Sequence, residues 1–184
     1  MYLFEEKIFN KDDCESLLNS AKDFKPAGLY YKGSRNSKNL VILPEKRNAL
    51  SSELNLIKGT IFYEKINSAI RNVGFELASD SLKFQIVKYN VGHFIYKHRH
   101  DLDAHMYLTI IVQLNDTSEY EGGDFIYWLK NGEEKRMGRK IGNGMIIGPE
   151  VEHEVKIVTK GSRNSFVLFL EYSDLKPIQK QSIL

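Results

Sequence analysis

The sequence has little of several features that mark particular classes of protein. One cysteine, Cys14, among 184 residues excludes an intramolecular disulfide framework and a multi-cysteine zinc or iron–sulfur site. The longest apolar runs are about five residues, as in 166–170, far short of the ~18 that span a bilayer. The 26 basic and 24 acidic side chains nearly cancel, so composition gives no signal for binding to nucleic acid or membrane. Residues 1–15 lack an apolar signal-peptide core, and we expect a cytoplasmic location.

What is present fits one folded domain. Domains typically contain ~100–200 residues, so 184 residues predict a single domain over 1–184. Hydrophobic residues make up 42% and charged residues 27%, which is typical of globular proteins. We expect a helical flank over 1–80 and a β-rich core over 81–173.

The flank carries two helix signals. Asn10 is a good N-cap for a helix over 11–24, and a second helix is predicted over 60–73, ending at Gly74. The apolar residues of the second helix fall on one face: Phe62, Ile66, Ala69, Ile70 and Val73. Residues 25–50 are polar without a clear period and predict a long loop.

The core consists of short segments rich in β-branched and aromatic residues, separated by turn residues. The predicted strands are 82–89, 92–97, 107–114, 124–129, 144–147, 153–158 and 164–172. Helices first and strands afterwards predict a mainly β (α+β) fold, a sandwich or barrel with N-terminal helices packed outside. In 107–114 the residues alternate between an apolar and a semi-polar face, which either lines a ligand cavity or is half exposed.

Histidines are unevenly distributed. Four of the five, His93, His98, His100 and His105, lie between positions 93 and 105, and Asp101 and Asp103 lie among them. The fifth, His153, opens a predicted strand. Two imidazoles and one carboxylate suit iron and leave half of its coordination sphere open. The cluster therefore predicts a metal site.

An arginine follows the last histidine at a distance of ten residues. A turn at Gly161 would join the strand of His153 to a neighbouring strand that carries Arg163. A cavity between these faces would hold a metal near one end and the arginine deeper inside. A buried guanidinium grips a carboxylate with two parallel hydrogen bonds.

An ordered series of segments resembles the iron(II)/2-oxoglutarate-dependent dioxygenases, in particular their prolyl-4-hydroxylase-like branch. The segments are YNVGHFIYKH at 89–98, YLTIIVQLN at 107–115, YEGGD at 120–124, GMIIGP at 144–149, HEV at 153–155 and GSRNS at 161–165. Their order and spacing match over about half of the chain. The resemblance implies a double-stranded β-helix, the jelly-roll or cupin-like fold.

The resemblance also implies roles for individual residues. His98 and His153 match iron ligands, and Arg163 matches the residue that binds the distal carboxylate of 2-oxoglutarate. Four further candidates line the cosubstrate pocket: Ser165, Thr109, Gln113 and Tyr89. Gln113 stands where relatives often have tyrosine, which leaves its role open.

The sequence departs from the family at the carboxylate ligand. The family motif is His-x-Asp, but two positions after His98 stands His100, and Asp101 comes one residue later. On a regular strand His98 and His100 share a face while Asp101 points away. A turn or bulge would bring Asp101 round, and His98, Asp101 and His153 are the preferred ligand set. A three-histidine site with His100, or a set using Asp103, remains open.

The implied activity is hydroxylation of a C–H bond with release of succinate and carbon dioxide. Iron(II) is the expected cofactor, 2-oxoglutarate the cosubstrate and ascorbate a further candidate. The substrate is an amino acid, a peptidyl residue or a small metabolite, held between the loop at 25–50 and the loop after Asp101. Two other interpretations remain: a cupin-like three-histidine metal protein, and a non-catalytic jelly-roll binding module. No nucleic-acid or membrane partner is expected, and the oligomeric state is left open.

Overall fold

The computed structural model describes residues 2–30, 40–100 and 106–178. The helices are α1 (Lys11–Ser20) and α2 (Ile61–Arg71). In chain order the strands are β1 (Leu3–Lys7), β2 (Lys25–Pro26), β3 (Leu29–Tyr30), β4 (Leu40–Val41), β5 (Arg47–Asn48), β6 (Leu50–Ile57), β7 (Phe75–Leu77), β8 (Ser81–Asn90), β9 (Phe94–His98), β10 (Met106–Gln113), β11 (Tyr120–Gly122), β12 (Phe125–Trp128), β13 (Glu134–Arg136), β14 (Asn143–Ile147), β15 (His153–Val155), β16 (Val158–Glu171) and β17 (Leu175–Pro177). None of the helices in this part of the chain is long and apolar enough to cross a membrane.

Two antiparallel sheets form the body of the molecule. The larger sheet has the strand order β1-β14-β10-β16-β8-β6-β2, and β11 pairs with the first part of β16. The smaller sheet has the order β13-β12-β15-β9-β5. This mainly β architecture confirms the predicted jelly-roll fold. Most strands predicted between 82 and 172 are present with ends shifted by one or two residues, but the strand predicted over 153–158 ends at Val155 and the one predicted over 164–172 begins at Val158.

The core is divided into two layers by the larger sheet. On its outer face, side chains from α1 and α2 pack against alternate residues of β10, Leu108, Ile110 and Val112. On its inner face, Ile111 of β10 packs with residues of the smaller sheet such as Phe125 and Val155. The helices therefore pack outside the β core, as predicted.

The helices begin where predicted and end earlier. Asn10 caps α1 by accepting a hydrogen bond from the Asp13 amide, and the Asp13 carboxylate accepts one from the Asn10 amide. Ala21 is already extended, so α1 ends at Ser20 and not at 24. The Thr60 Oγ1 caps α2 by accepting a hydrogen bond from the Tyr63 amide, and α2 ends at Arg71 rather than at 73.

Residues 1–80 are less helical than predicted. The eight-residue β6 pairs along its whole length with β8, and β1 pairs with β14. Both are integral strands of the larger sheet. In the predicted loop over 25–50, β2 extends that sheet and β5 extends the smaller one; residues 31–39 lie outside the described ranges.

The connection between His153 and Arg163 also differs from the prediction. No turn is found at Gly161, which lies within β16 with a φ of +67°. A Cβ at this glycine would lie 2.0 Å from the Glu119 carbonyl oxygen, so a side chain is excluded by the pairing with β11. The chain instead crosses between the sheets at 156–157. His153 and Arg163 consequently belong to different sheets, with the interior between them.

Candidate active site

Three histidine side chains meet at the smaller sheet. His98 ends β9, His153 begins β15 directly opposite, and His100 follows two residues after β9. The ring centroids are 4.2 Å apart for His98 and His153, 5.0 Å for His100 and His153, and 5.7 Å for His98 and His100. One ring nitrogen from each residue lies within 4.8 Å of the other two. Among the described residues this is a group with the donor set and spacing to hold a metal ion.

A β-bulge in β9 brings His98 into this group. His98 pairs with His153 and Ile95 pairs with Val155, so the two residues between them in β9 oppose the single residue between them in β15. On a regular strand His98 would lie on the face opposite to Ile95, because the two residues are three positions apart. The bulge instead turns both inward.

Hydrogen bonds determine which ring nitrogen carries the proton in two of these histidines, and therefore which nitrogen can bind a metal. The Nδ1 of His98 lies 2.8 Å from the Tyr96 carbonyl oxygen, and the Nδ1 of His153 lies 3.0 Å from that of Val151. A carbonyl only accepts, so both Nδ1 atoms carry the proton. The Nε2 lone pairs of the neutral rings are therefore available to a metal.

His100 is held by a hydroxyl group and by the backbone. Its Nδ1 lies 3.0 Å from the Thr109 Oγ1, and its amide donates to the Pro149 carbonyl oxygen at 3.1 Å. The Phe169 ring contacts the imidazole edge-on at 5.6 Å. These contacts restrain the His100 ring beside the other two.

All three imidazoles are neutral at physiological pH. Burial is the main cause that lowers the pKa of each ring, and it lowers the pKa of His100 to about 3. The neighbouring histidines add to the lowering for His100 and His153, and the Arg47 charge adds to it for all three. Neutral imidazole is the form that binds metals, so no proton has to be removed first.

Arg163 lies on the inner face of the larger sheet and is 1% exposed. Its guanidinium carbon is 5.6 Å from the ring centroid of Tyr89, its pairing partner on β8. Its Nη2 has no hydrogen-bond partner among the described residues, and neither does the Oγ of the fully buried Ser165 two positions along the strand. Each such orphan costs ~1–3 kcal/mol or more for a charged group, which a bound anion would relieve.

The remaining pocket candidates are distributed along the same inner face. Thr109 is 2% exposed and contacts His100, so it supports the histidine group. Gln113 is equally buried, but its Nε2 donates to the backbone and side-chain oxygens of Asn115, 3.1 and 3.2 Å away. Its amide nitrogen is therefore used in fixing the turn after β10.

Several predicted residues lie elsewhere. Asp101, Asp103 and His105 fall outside the described residues, so the preferred carboxylate ligand stays a prediction. His93 is in the turn before β9 and does not join the other histidines. Arg47 was not among the predicted site residues, because it stands in a polar segment with no periodic pattern and far in sequence from every histidine.

Comparison with known proteins yields matches at the level of structure. No family model matches the sequence, and no curated protein sequence matches it significantly. A prolyl-4-hydroxylase from Pseudomonas putida superposes with a TM-score of 0.66 at 14% identity, with 92% of each chain covered. A 2OG-Fe(II) oxygenase family protein from Burkholderia pseudomallei gives 0.60 at 12%, covering 91% of this chain and 84% of that one.

A third match is a prolyl hydroxylase from Trichoplax adhaerens, solved in complex with a peptide fragment of a hypoxia inducible factor. Its TM-score is 0.63 at 12% identity, covering 94% of this chain and 84% of that one. The protein thus has the fold of the prolyl hydroxylases and 2OG-Fe(II) oxygenases, which confirms the structural side of the sequence resemblance. At these identities the likeness establishes the fold alone.

Proposed function

We propose that the protein is an iron(II)- and 2-oxoglutarate-dependent oxygenase. It hydroxylates a C–H bond of an amino acid, a peptidyl residue or a small metabolite, with release of succinate and carbon dioxide. The observation that carries the proposal is the combination of converging histidine nitrogens with an orphaned, buried Arg163 on the opposite sheet. The first suits a divalent metal and the second an anion, and the two groups belong to the two facing sheets.

The residues present fit the two groups that this reaction needs. Three neutral imidazoles whose ligand atoms lie within 4.8 Å are a suitable donor set for iron. His98 and His153 would be two of the ligands. The third is His100 or the predicted Asp101. Arg163 and Ser165 supply unpaired donors for the distal carboxylate of 2-oxoglutarate.

Each side chain has a defined task in this scheme. The Tyr96 and Val151 carbonyls fix the tautomers of His98 and His153, which leaves the Nε2 lone pairs free for a metal. Arg163 orients the cosubstrate with a bidentate grip in a dry environment, where charge-assisted hydrogen bonds are strong. Apolar side chains between the sheets, such as Ile111, Met145 and Val155, exclude water from the reaction. Iron, when bound, supplies the oxidative decarboxylation of 2-oxoglutarate and the oxidation of the substrate.

The first experiment measures succinate formed from 2-oxoglutarate with and without iron(II). We expect slow iron-dependent turnover that is lost in His153→Ala, together with iron binding. His93→Ala is the matched control, because it removes a histidine outside the group and should keep both. Stoichiometric iron in folded His153→Ala would remove that residue from the site.

The second experiment separates the cosubstrate from the metal. Arg163→Ala should weaken anaerobic 2-oxoglutarate binding by at least about 30-fold, the usual minimum for truncating a buried charge pair. Iron affinity should change far less. Arg71→Ala, which removes an exposed arginine from α2, should change neither. Equal 2-oxoglutarate affinity in Arg163→Ala and the unmodified protein would contradict the assigned role.

A second candidate function is favoured by the position of His100. As a third imidazole ligand it would give a neutral donor set, as expected for a cupin-like dioxygenase or isomerase that needs no 2-oxoglutarate. His100→Ala and Asp101→Ala distinguish the ligand sets, because only one should lose iron. Iron binding without any Arg163-dependent binding of 2-oxoglutarate would favour this second function.

A further inference from the structure

A second arginine, Arg47, stands beside the histidine group. It lies on β5 at the edge of the smaller sheet and pairs with Ile95 of β9, the strand that carries His98. Neighbouring strands are ~4.8 Å apart, so β5 is one strand away from a metal ligand. The Arg47 charge is also near enough to contribute to the lowered pKa of all three site histidines, after burial.

The hydrogen bonds of Arg47 leave one edge of the guanidinium to be explained. Nη1 donates to the Gly28 carbonyl oxygen at 2.8 Å, which anchors the head group. Nε is buried and has no hydrogen-bond partner among the described residues. Nε–H and Nη2 form the side-on edge with which arginine grips a carboxylate in two parallel bonds.

The charges around this edge of the Arg47 guanidinium indicate which kind of ligand would bind there. A guanidinium next to a divalent cation is repelled by it, and the low-dielectric surroundings strengthen that repulsion. An anion lying between the two charges turns the repulsion into attraction on both sides. In the proposed function Arg163 and Ser165 on the opposite sheet account for the distal carboxylate of 2-oxoglutarate, which leaves the other carboxylate of 2-oxoglutarate and the primary substrate as anions for this edge. The binding test below distinguishes the two.

We propose that Arg47 binds the carboxylate of the primary substrate, which is therefore a small carboxylic acid such as a free amino acid. This inference rests on the proposed function and narrows its substrate class. An internal peptide residue with an uncharged side chain presents only neutral amide groups and would leave the Arg47 charge unpaired beside the metal. The Arg47 side chain keeps some exposed surface, although its Nε is buried.

The test measures binding without turnover. Zinc-loaded protein saturated with 2-oxoglutarate is titrated with each of the free L-amino acids, with their carboxamides, and with capped peptides containing the same residues internally. The variants are Arg47→Gln, Arg47→Lys and the control Lys46→Gln, which removes the exposed neighbouring charge. Thermal unfolding confirms that each variant is folded, and Arg47→Lys keeps a cation if the glutamine variant is unstable.

We expect at least one free acid to bind, its carboxamide to bind about 10-fold or more weakly, and Arg47→Gln to lower the affinity for the acid to a similar degree. Arg47→Lys should lie between, since lysine lacks the bidentate edge. Lys46→Gln should bind the acid like the unmodified protein. Affinity for 2-oxoglutarate should fall in Arg163→Ala far more than in Arg47→Gln.

Three results would overturn the inference. The first is equal affinity for an acid and its amide. The second is binding of capped peptides but of no free acid. The third is a larger loss of affinity for 2-oxoglutarate than for the acid in Arg47→Gln. The last would assign Arg47 to the cosubstrate. If the unmodified protein binds neither zinc nor 2-oxoglutarate, the proposed function itself fails. If it binds both and no free acid, the inference about Arg47 alone fails.

Discussion

The two faces of the larger sheet can be compared within one strand. β10 presents Leu108, Ile110 and Val112 to the helices, and Thr109, Ile111 and Gln113 to the interior between the sheets. Both sets are buried. The helix side contains a continuous apolar layer, and among the described residues none of its helical side chains has an orphaned polar atom. The interior contains the unpaired Nη2 of Arg163 and Oγ of Ser165.

The contacts on the helix side stabilise the fold, whereas the unpaired groups in the interior serve ligand binding. Apolar contacts on the helix side stabilise the sheet without any ligand, because nothing polar has to be satisfied there. Unpaired donors in the interior destabilise the empty protein and become favourable contacts when an anion binds. Variants on the two faces of the same sheet should therefore give opposite profiles of stability and binding.

The largest expected effect concerns Cys14 on the helix side. Burial raises the pKa of this thiol from 9.0 to about 12, which lowers the thiolate fraction about 1,000-fold near pH 8.5. Because the thiolate is the nucleophile, alkylation by iodoacetamide at pH 8.5 should be slower by that order in native protein than in urea. It should rise as the pH approaches 12. Rapid labelling of native protein would show that the helix layer opens.

Removal of an aromatic ring from the same layer should be the next largest effect. Phe166 is fully buried, and its ring centroid lies 4.7 Å from that of Phe84 and 5.5 Å from that of Phe9. Phe166→Ala should lower the free energy of unfolding by ~3–5 kcal/mol, measured by urea denaturation. The zinc affinity of the folded fraction should stay the same. A parallel loss of zinc would contradict the separation of the two faces.

A matched change on the interior face should affect binding more than stability. Thr109→Val keeps the shape but removes the hydroxyl next to His100 Nδ1. If His100 is a ligand, metal affinity should fall ~10–100-fold, as is typical for supports of ligating histidines. The free energy of unfolding should change by ~1 kcal/mol or less. Thr159→Val on the exposed part of β16 is the control, and unchanged metal affinity in Thr109→Val would argue for Asp101 as the third ligand.

The smallest effect is expected at the start of α1. Asn10→Ala removes the N-cap side chain that accepts a hydrogen bond from the Asp13 amide. This should lower the free energy of unfolding by ~1 kcal/mol. Ser20→Ala at the exposed end of the same helix should change it by less than ~0.5 kcal/mol. Neither variant should alter metal or 2-oxoglutarate binding. Weakened binding in Asn10→Ala would mean that the helix layer reaches the site.

The parts of the fold that follow a simple period could be predicted from the sequence. The alternation in β10 correctly indicated two different faces, and the apolar face of α2 indicated its packing. The same alternation is present in most of β6, where Ser52, Leu54 and Leu56 are more buried than the residues that follow each of them, and it could have identified that strand. β1 offered no such signal, because three of its five residues are charged.

The site was less predictable because it depends on interruptions of that period. Regular alternation placed His98 and His100 on one face, but His98 is turned inward by the bulge in β9 and His100 lies beyond the end of the strand. The positive φ of Gly161 keeps β16 continuous where a turn was expected. Arg47 comes close to the histidines only through strand pairing across about 50 residues of sequence.

The bulge in β9 makes the candidate metal ligands depend on strand register as well as on residue identity. Two residues, Tyr96 and Lys97, oppose Glu154 alone, and the extra residue lets His98 stand opposite His153 although it lies three positions after Ile95. In a regular ladder of the same sequence, Lys97 would stand opposite His153 and His98 would point away from the interior. Loss of this one irregularity would thus replace an imidazole by an ammonium group at the site, with every histidine of the segment retained.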